Sequence, residues 1–524
     1  MNLIRKTTFL IAVSLTLCTA TFAQLSKNWF NEDPSKDKFA GVSSDYTYEE
    51  LLKQKKSTTV IVAVIDGGTE VSHPDLKDHI WVNDGEIAGN GIDDDKNGYV
   101  DDMNGWSFIG GKSGDVSHDT FEATRIVKKF QSKYEGKSTS GLSDQEKQEY
   151  KMYQAAKKNL AAELKSAKEE LASYAKLKLQ LDSMKLAMGS EDFKAEDVAA
   201  YKSNDEEFNK LKSGIASAMT SGVAFNEIYD PIVEGYNIYY VMVNYQLNTE
   251  FDSRNIVGDN YEDFTEKFYG NNNVTGPEAT HGTHVAGIIG AVRTNDIGIK
   301  GVASDVQLMI LRVVPDGDER DKDVANAIRY AVDNGAKVIN MSFGKMFSPG
   351  KKYVDDAMLY AASKDVLLVH AAGNDGANID KESNFPHPYY QGADVREQAW
   401  IEVGAISSSG DAASFSNYGA KKVDVLAPGV KIFSTLPEGE YGNLNGTSMA
   451  APVVTGIAAM IRSYYPGLKA TEVRKIIMDS AIKIPTKTKL PGSSKKKVKY
   501  SKLCASGGIA NAYRALKIAG SMAK

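Results

Sequence analysis

Cysteine is scarce in this chain of 524 residues, which contains only Cys18 and Cys504. We expect Cys18 to leave with an N-terminal export signal, so the mature chain keeps one thiol and forms no internal disulfide. This excludes the disulfide-stapled scaffolds on which many exported domains depend. An exported chain without disulfides needs another kind of cross-link, and a bound metal ion is the obvious candidate.

A surplus of positive charge is also absent. Lysine and arginine total 62 against 68 aspartates and glutamates, and the resulting net charge of −6 argues against a nucleic-acid-binding surface. The hydrophobic share of 42% and the charged share of 25% are ordinary for a globular protein in water. A chain of this length corresponds to about two to four domains.

The apolar run near the N-terminus, Phe9–Leu17, is too short to span a bilayer. Basic residues precede it and a small-residue cleavage site at 21–23 follows it, which is typical of a secretory signal peptide covering residues 1–23. A lipoprotein site at Cys18 is disfavoured because the bulky Leu17 precedes it. No membrane or sorting segment is visible near the C-terminus. We therefore expect export to the periplasm or the medium, without a stable membrane anchor.

The stretch around Ser448 has the features of a nucleophile at the start of a helix. A turn-prone Asn-Gly-Thr precedes Ser448, and an uncharged run of small and apolar residues continues to Ile461. This run predicts a helix buried on all sides, with Pro452 tolerated in its first turn. Ser448 then faces the positive end of the helix dipole, which suits a reaction that develops an oxyanion. The alternative is a serine that only caps the helix.

Two other stretches carry groups that complete such a site. An apolar, β-branched strand that begins at Val60 ends at Asp66 and is followed by two glycines. His281 stands at the head of a Gly- and Ala-rich helix, and His284 lies about one turn further on. An imidazole can take a proton from a hydroxyl group and return it, and a carboxylate can hold the ring in place.

These three stretches, in the chain order Asp66, His281, Ser448, resemble the active-site signatures of the subtilisin-like serine proteases, or subtilases. The resemblance covers roughly residues 28–119 and 254–516. It implies that Ser448 attacks peptide bonds to form an acyl-enzyme. It also implies that His281 is the general base and acid and that Asp66 orients it.

Two neighbours of these residues need separate mention. The resemblance implies that His284 has a supporting role, so His281 is preferred as the catalytic histidine. Related enzymes often carry a hydroxyl residue directly after the aspartate, whereas this chain has Gly67. We therefore expect one hydrogen bond to the Asp66 carboxylate to be missing.

The resemblance also assigns the groups around the reacting bond. Asn374, in an Ala-Ala-Gly-Asn turn, matches the side chain that donates to the oxyanion beside the backbone N–H of Ser448. Ser342, Phe343 and Gly344 match the strand edge that pairs with an extended substrate, and Gly344 lets the substrate backbone approach closely. The alternatives are an asparagine that merely tolerates a tight turn and a plain core strand that ends in a turn.

Apolar strands alternate with helices over the second half of the chain. Strands are predicted at Val306–Val313, Ala336–Met341, Val366–Ala371 and Trp400–Ile406, and helices near 323–334, 353–363 and 470–481. Such alternation indicates a parallel sheet covered by helices on both faces. The predicted fold class is α/β, a subtilisin-like three-layer fold with a central, mostly parallel sheet. Its chemistry lies at the carboxyl ends of the strands.

An acidic loop follows the first strand. Its oxygen-bearing side chains alternate around a turn at Gly98, and they are Asp93, Asp95, Asn97 and Asp101. Hard oxygen ligands crowded on a tight loop repel one another without a cation and suit Ca²⁺. We expect these four residues to hold a structural calcium ion, and a solvated acidic turn is the alternative. The final glutamate of an EF-hand loop is absent, so its flanking helices are not expected.

The resemblance is interrupted between residues 121 and 252. Apolar residues recur there at three- and four-residue steps among many lysines and glutamates, which indicates a coiled-coil-like seam. The residues of the seam are Tyr153, Leu160, Leu164, Ala167, Leu171, Tyr174, Leu181 and Met184. We expect an inserted α-helical hairpin or small bundle, with further helices starting near Ser190 and Glu206.

This insertion divides the predicted catalytic domain into residues 24–120 and 253–524. It is either an inert decoration or a contact with a partner or a second copy, or it is a lid or substrate selector. The last interpretation is favoured by its position between Asp66 and His281 along the chain, since a long loop so placed can reach the cleft.

The sequence as a whole predicts an exported, calcium-stabilised serine endopeptidase that acts on protein or peptide substrates. Two other interpretations stay open. One is a subtilase fold whose catalysis has lapsed and whose insertion binds a partner, although Asp66, His281, Asn374 and Ser448 are all present. The other is a transferase or peptide ligase that uses the same acyl-enzyme.

Overall fold

The structure is a computed structural model that describes residues 25–189, 193–393 and 395–523. The predicted signal peptide, with Cys18, and the helix start predicted at Ser190 lie outside these ranges. Within them, every helix is too short or too polar to cross a bilayer.

Most of the strands join one large sheet. In chain order the strands are β1 Val60–Asp66, β2 Gly105–Ser107, β3 Gly110–Gly111, β4 Gly114–Asp115, β5 Val306–Arg312, β6 Val338–Met341, β7 Leu367–Ala371, β8 Trp400–Ile406, β9 Val425–Pro428, β10 Ile432–Leu436, β11 Glu440–Leu444, β12 Ile482–Lys483, β13 Lys487–Lys489, β14 Lys497–Lys499 and β15 Gly508–Ile509. The nine-stranded sheet has the order β12-β15-β9-β8-β7-β6-β1-β5-β2. Its neighbouring strands are parallel except β12, which runs antiparallel to β15. The predicted mostly parallel sheet is therefore confirmed.

Helices cover the sheet and form the insertion. The α-helices are α1 Ser44–Thr47, α2 Glu122–Tyr134, α3 Asp144–Met188, α4 Ala195–Ala200, α5 Glu206–Thr220, α6 Phe225–Val241, α7 Arg254–Val257, α8 Thr280–Gly290, α9 Asp321–Asp333, α10 Lys351–Ser363, α11 Thr447–Tyr464, α12 Ala470–Ser480 and α13 Ala512–Met522. Short 3-10 or π turns occupy Trp29–Asn31, Tyr48–Leu52, Lys77–His79, Met242–Gln246, Pro437–Gly439 and Tyr500–Lys502.

The sheet has a hydrophobic core on each face, which gives three layers. Side chains of a strand alternate between faces, so Val62 and Val64 of β1 enter one core while Ala63 and Ile65 enter the other. The first core is closed by α8, α11, α12 and α13, and the second by α9 and α10. The predicted α/β three-layer fold is thus confirmed.

Strand β1 lies between β5 and β6, and the order of the chain reverses at this point. Asp66 ends β1 opposite Arg312, the last residue of β5. Because β5 and β6 leave β1 on opposite sides, a crevice forms beyond the carboxyl ends of these strands. The fold thereby sets Asp66 at the floor of a cleft.

Helices α2 to α6 form the predicted inserted helical hairpin. Helix α3 has 45 residues and is therefore about 68 Å long. It begins with a capping box at Ser143 and ends at Gly189, which adopts a left-handed conformation with φ of 66°. The predicted seam residues of α3 are buried or half-buried against α2 and α6 at the base and against α4 to α6 at the tip.

The two ends of the insertion meet at its base. The backbone N–H of Phe121 donates to the carbonyl oxygen of Gln246 at 2.9 Å, and the Thr124 hydroxyl donates to the same oxygen at 2.8 Å. The chain therefore leaves the domain that contains the large sheet and returns to it at one place. The exact limits of 121 and 252 for the inserted unit stay a prediction.

Candidate active site

The Asp66 carboxylate and the His281 ring meet at the carboxyl end of β1. His281 is the second residue of α8, and its Nδ1 lies 2.7 Å from Asp66 Oδ1. Asp66 is only 2% exposed, and the backbone N–H of Gly67 donates to the same oxygen at 2.8 Å. Nδ1–H of His281 therefore donates to the carboxylate, which leaves Nε2 free to accept a proton.

The second carboxylate oxygen of Asp66 receives no hydrogen bond from the residue that follows it, Gly67, which has no side-chain donor. Asp66 Oδ2 is buried and has no hydrogen-bond partner among the described residues. A Cβ on Gly67 would lie 3.0 Å from the carbonyl oxygen of Val314, closer than an ordinary contact. The absence of a hydroxyl residue at this position thus coincides with an unpartnered carboxylate oxygen, as the sequence predicts.

The environment of His281 favours its charged form. Desolvation alone would lower the pKa of His281, because burial disfavours the imidazolium. The charge of Asp66 and its hydrogen bond to the ring act in the opposite direction and outweigh desolvation, so the pKa is raised above its ordinary value. The site therefore stabilises the imidazolium that forms when His281 accepts a proton.

His284, the rival histidine, is fully buried on the same helix. Its Nε2 lies 3.0 Å from the carbonyl oxygen of Ile432 and 3.2 Å from that of Gly442. Desolvation lowers the pKa of His284 to about 4, so its ring is neutral at ordinary pH. His284 braces the β10–β11 hairpin, a supporting role that agrees with the prediction.

Ser448 occupies the first turn of α11 and lines the same cleft as Asp66 and His281. Its Oγ donates to the backbone carbonyl oxygen of Ser342 at 3.1 Å, and the Ser342 hydroxyl donates to the Ser448 carbonyl at 2.9 Å. In the described part of the chain, Ser448 Oγ makes this contact in place of a hydrogen bond to His281. A hydrogen bond from the Ser448 hydroxyl to His281 Nε2 would require this hydroxyl to leave the Ser342 carbonyl.

Asn374 is held with its amide nitrogen available. Its Oδ1 accepts hydrogen bonds from the backbone N–H and the hydroxyl of Thr447, at 2.9 and 3.0 Å. Because the N–H of Thr447 requires an acceptor, this contact fixes which end of the amide is oxygen. The Thr447 hydroxyl also accepts from the N–H of Gly373 at 3.0 Å. Thr447 thereby ties the turn before Asn374 to the start of α11.

Three residues that support the site were not predicted to do so. The first is Thr447. The second is the buried Asn417, whose Oδ1 accepts hydrogen bonds from the backbone N–H groups of Asp375 and Ala377 and thereby holds the turn that contains Asn374. The third is the buried Arg312, whose Nε donates to the Gly67 carbonyl at 2.9 Å. Arg312 is placed beside the site by the pairing of β1 with β5, in which it lies opposite Asp66. This register cannot be read from the sequence, so Arg312 could not have been predicted.

The predicted substrate edge also lies at the cleft. Ser342, Phe343 and Gly344 follow β6 and line a cleft of about 620 Å³ together with Asp66, His281, Asn374 and Ser448. Phe343 is half-buried and packs on the core formed with α9 and α10. All seven residues proposed from sequence for catalysis and substrate binding therefore share one cavity.

The acidic loop groups its carboxylates differently from the prediction. Oxygens of Glu86, Asp95 and Asp102 lie within 4.8 Å of one another, and of the predicted ligands only Asp95 belongs to this group. The Asp93 carboxylate instead accepts from the backbone N–H groups at 97 and 98, and that of Asp101 from those at 90 and 91. Alternation along the loop could not reveal Glu86, which joins from the preceding turn.

The amide of Asn97, the fourth predicted ligand, donates to Asp95 and Asp102 at 3.0 Å each. Glu86 and Asp102 are 7% and 0% exposed. Among the described residues, no Lys or Arg forms an ion pair with any of the three grouped carboxylates. Burial raises the pKa of Asp102, because a carboxylate without a cation is costly there. This oxygen-rich set fits a hard divalent cation such as Ca²⁺.

Comparison with known proteins agrees with this geometry. The sequence pattern of the subtilase family matches residues 57–508. Subtilisin DY of Bacillus licheniformis is 39% identical over 203 residues, which are 38% of this chain and 70% of that protein. Thermitase of Thermoactinomyces vulgaris is 40% identical over 205 residues, covering 39% of this chain and 68% of its own. A thermophilic serine proteinase of Bacillus sp. (strain AK1) is also 40% identical over 205 residues, but these are 47% of that protein.

The family match covers far more than half of the chain and includes every residue of the candidate site. The relatives align over a smaller part, 38–39% of this chain. The chain belongs to the subtilase family, and it is a subtilisin-like serine endopeptidase.

Proposed function

We propose that this endopeptidase uses Ser448 as its nucleophile, His281 as general base and acid, Asp66 to orient His281, and Asn374 as an oxyanion donor. The observation that carries the proposal is the 2.7 Å contact between His281 Nδ1 and Asp66 Oδ1 in the cleft that Ser448 lines. Three groups from distant parts of the chain thereby face one substrate-sized cavity.

Acylation begins when the Ser448 hydroxyl passes its proton to His281 Nε2 and its oxygen bonds to the substrate carbonyl carbon. The Asp66 carboxylate stabilises the imidazolium that results. His281 then gives the proton to the leaving amine as the C–N bond breaks, which leaves an acyl group on Ser448. Water, deprotonated by His281, attacks the ester and releases the second product, and the proton returns to Ser448.

Negative charge develops on the substrate carbonyl oxygen in each tetrahedral intermediate. The amide nitrogen of Asn374 and the backbone N–H of Ser448, in the first turn of α11, are the proposed donors. Donors fixed before the reaction need no reorganisation, and each is typically worth about 3–4 kcal/mol in the transition state. Thr447 acts as a positioning residue because it holds Asn374 Oδ1 away from the substrate.

A fluorophosphonate probe tests this assignment, since it reacts with activated serine hydroxyls. We expect it to label folded wild-type protein at one site, and peptide mapping by mass spectrometry should place the label on Ser448. Ser448→Ala should show no label. Folded protein that is not labelled would support a subtilase fold that has lost catalysis and only binds partners. In a separate reaction with a peptide and an added amine, products joined to the amine would support a ligase.

We also propose that Glu86, Asp95 and Asp102 hold a structural calcium ion. Its chemical contribution would be to offset buried negative charge, with no part in the peptide-bond chemistry. Binding to the native state stabilises the fold. If the calcium concentration is about 100 times the Kd, adding a chelator should lower the melting temperature by about 3 °C. Differential scanning calorimetry measures this change.

The controls for calcium use two acidic side chains close in sequence. Asp102→Asn should abolish the response to chelator, whereas Asp84→Asn, which changes an exposed carboxylate outside the group, should preserve it. A wild-type melting curve that is the same with and without calcium would remove the proposed site.

Export is proposed from the signal-peptide pattern at residues 1–23, with the periplasm or the medium as destination. Protein or peptide substrates follow from the endopeptidase activity. A contact of the insertion with a partner or a second copy stays a prediction.

A further inference from the structure

A second cavity, of about 340 Å³, adjoins the active-site cleft, and the insertion forms one of its walls. Gly344 and Asp375 line both the cleft and this cavity, so the two spaces share a boundary. The insertion contributes Asn159 and Glu163, one turn apart on α3, together with Met242. This cavity is called the insertion pocket below.

Buried ion pairs fix the insertion wall to the substrate edge. Lys345 directly follows Gly344, and its ammonium group lies 2.7 Å from Glu122 of α2. Both side chains are 2% exposed. Glu122 also pairs with Arg125 at 2.7 Å, which in turn donates to backbone carbonyls of the loop before α9. Breaking such buried pairs is strongly unfavourable, so the base of the insertion is a fixed wall and not a swinging lid.

The insertion pocket is lined by acidic side chains, namely Glu163, Asp318, Asp375 and Glu382. Within the described ranges, none of the four forms an ion pair with Lys or Arg. Lys345 also lines the pocket, but its charge is taken up by Glu122 and by Asp321 at 2.9 Å. Desolvation raises the pKa of the half-buried Glu163, because no cation stabilises its charged form. The lining of the pocket therefore has an excess of acidic over basic side chains, four against Lys345 alone among the described residues.

A buried carboxyl group in the adjoining cleft also lacks a partner. Glu319 lines the cleft, is 2% exposed, and its Oε1 has no hydrogen-bond partner among the described residues. Buried polar atoms are seldom left unpaired, so a donor is missing at this point. Glu278 and Asp316 also line the cleft, whereas none of the described residues lining it is a lysine or arginine. The cleft that adjoins the insertion pocket is therefore acidic as well.

We infer that the insertion pocket receives a lysine or arginine side chain of the substrate, and that Glu163 is a specificity-determining residue supplied by the insertion. The enzyme then cleaves proteins close to basic residues. This inference rests on the proposed function, because the substrate backbone must lie along Gly344 and next to Ser448 for its side chain to enter the pocket.

The test compares paired peptides in which lysine or the uncharged norleucine occupies each position around the cleaved bond in turn. We expect one position at which lysine raises kcat/KM about tenfold or more over norleucine. Added salt should reduce this ratio, because the pocket is open to solvent and its charges are screened. This measurement uses the wild-type protein and does not depend on any variant folding.

Glu163→Gln should lower the lysine preference about fivefold, through a lower kcat/KM for the lysine peptides. Glu170→Gln is the matched control, because Glu170 lies on the same helix but is exposed and outside the pocket. Melting curves of both variants show whether folding is retained. Glu163→Lys should lower the preference further.

Two kinds of failure can be told apart. If the probe labels Ser448 and norleucine peptides are cleaved, but lysine gives no advantage at any position, the inference is wrong and the proposed function stands. An unchanged lysine preference in Glu163→Gln would likewise remove Glu163 from recognition. If neither labelling nor cleavage of any peptide occurs, the proposed function itself fails.

Discussion

Ser448→Ala should lower kcat by a factor on the order of 10⁶, while the melting temperature stays close to that of the wild type. The methyl group of alanine fits where the serine side chain lies, but it offers no oxygen to attack the substrate. Hydrolysis of a chromogenic peptide with purified protein gives kcat and KM, and calorimetry gives the melting temperature.

A second serine in the same helix provides the control. Ser463→Ala changes a buried hydroxyl near the far end of α11, whose Oγ has no hydrogen-bond partner among the described residues. This variant should keep full activity. If Ser448→Ala hydrolysed peptides well above background, the nucleophile would have to be sought elsewhere in the cleft.

Asp66→Asn should lower kcat about 10⁴-fold. Asparagine has nearly the same size as aspartate and can still accept from Gly67, so the fold should persist. The negative charge opposite His281 is lost, however, and the imidazolium formed during proton transfer is no longer stabilised. Asp305→Asn, at the opposite end of the sheet before β5, should leave kcat unchanged.

Asp66→Asn should also change the pH dependence of kcat/KM. Asp66 raises the pKa of His281, and the ring can act as a base only when neutral, so wild-type kcat/KM rises as pH increases through this raised pKa. Without the charge of Asp66, the pKa falls and the residual activity should reach its plateau at a lower pH. If kcat/KM of Asp66→Asn rose over the same pH range as that of the wild type, a group other than His281 would control this rise.

Long apolar and amphipathic segments could be located from sequence, whereas short strands could not. The buried strands β5 to β8 and helices α9, α10 and α12 fall within two residues of the predicted limits. Strands β3 and β4, at Gly110–Gly111 and Gly114–Asp115, are too short to show any periodicity. They pair with each other in a tight hairpin, Gly110 opposite Asp115 and Gly111 opposite Gly114.

The proposed reacting groups could be located from sequence because each stands at an element boundary with a recognisable motif. Asp66 ends an apolar strand, His281 opens a Gly-rich helix, and Ser448 opens a buried one. The supporting contacts were not accessible, since their partners are far apart along the chain. Arg312 meets the Gly67 carbonyl across 245 residues, and Lys345 meets Glu122 across 223. Glu86 could not be grouped with the acidic loop from sequence, because it lies outside the alternating residues, and the choice of calcium ligands stays a prediction.

The two ends of the insertion meet where Phe121 bonds to Gln246, and this closeness has an evolutionary consequence. The part of the insertion past the buried contacts of Glu122 and Arg125 can lengthen, shorten or be replaced without disturbing how β1 and α8 approach each other. Selection could therefore change the insertion, and with it the choice of cleavage sites, without changing the active site.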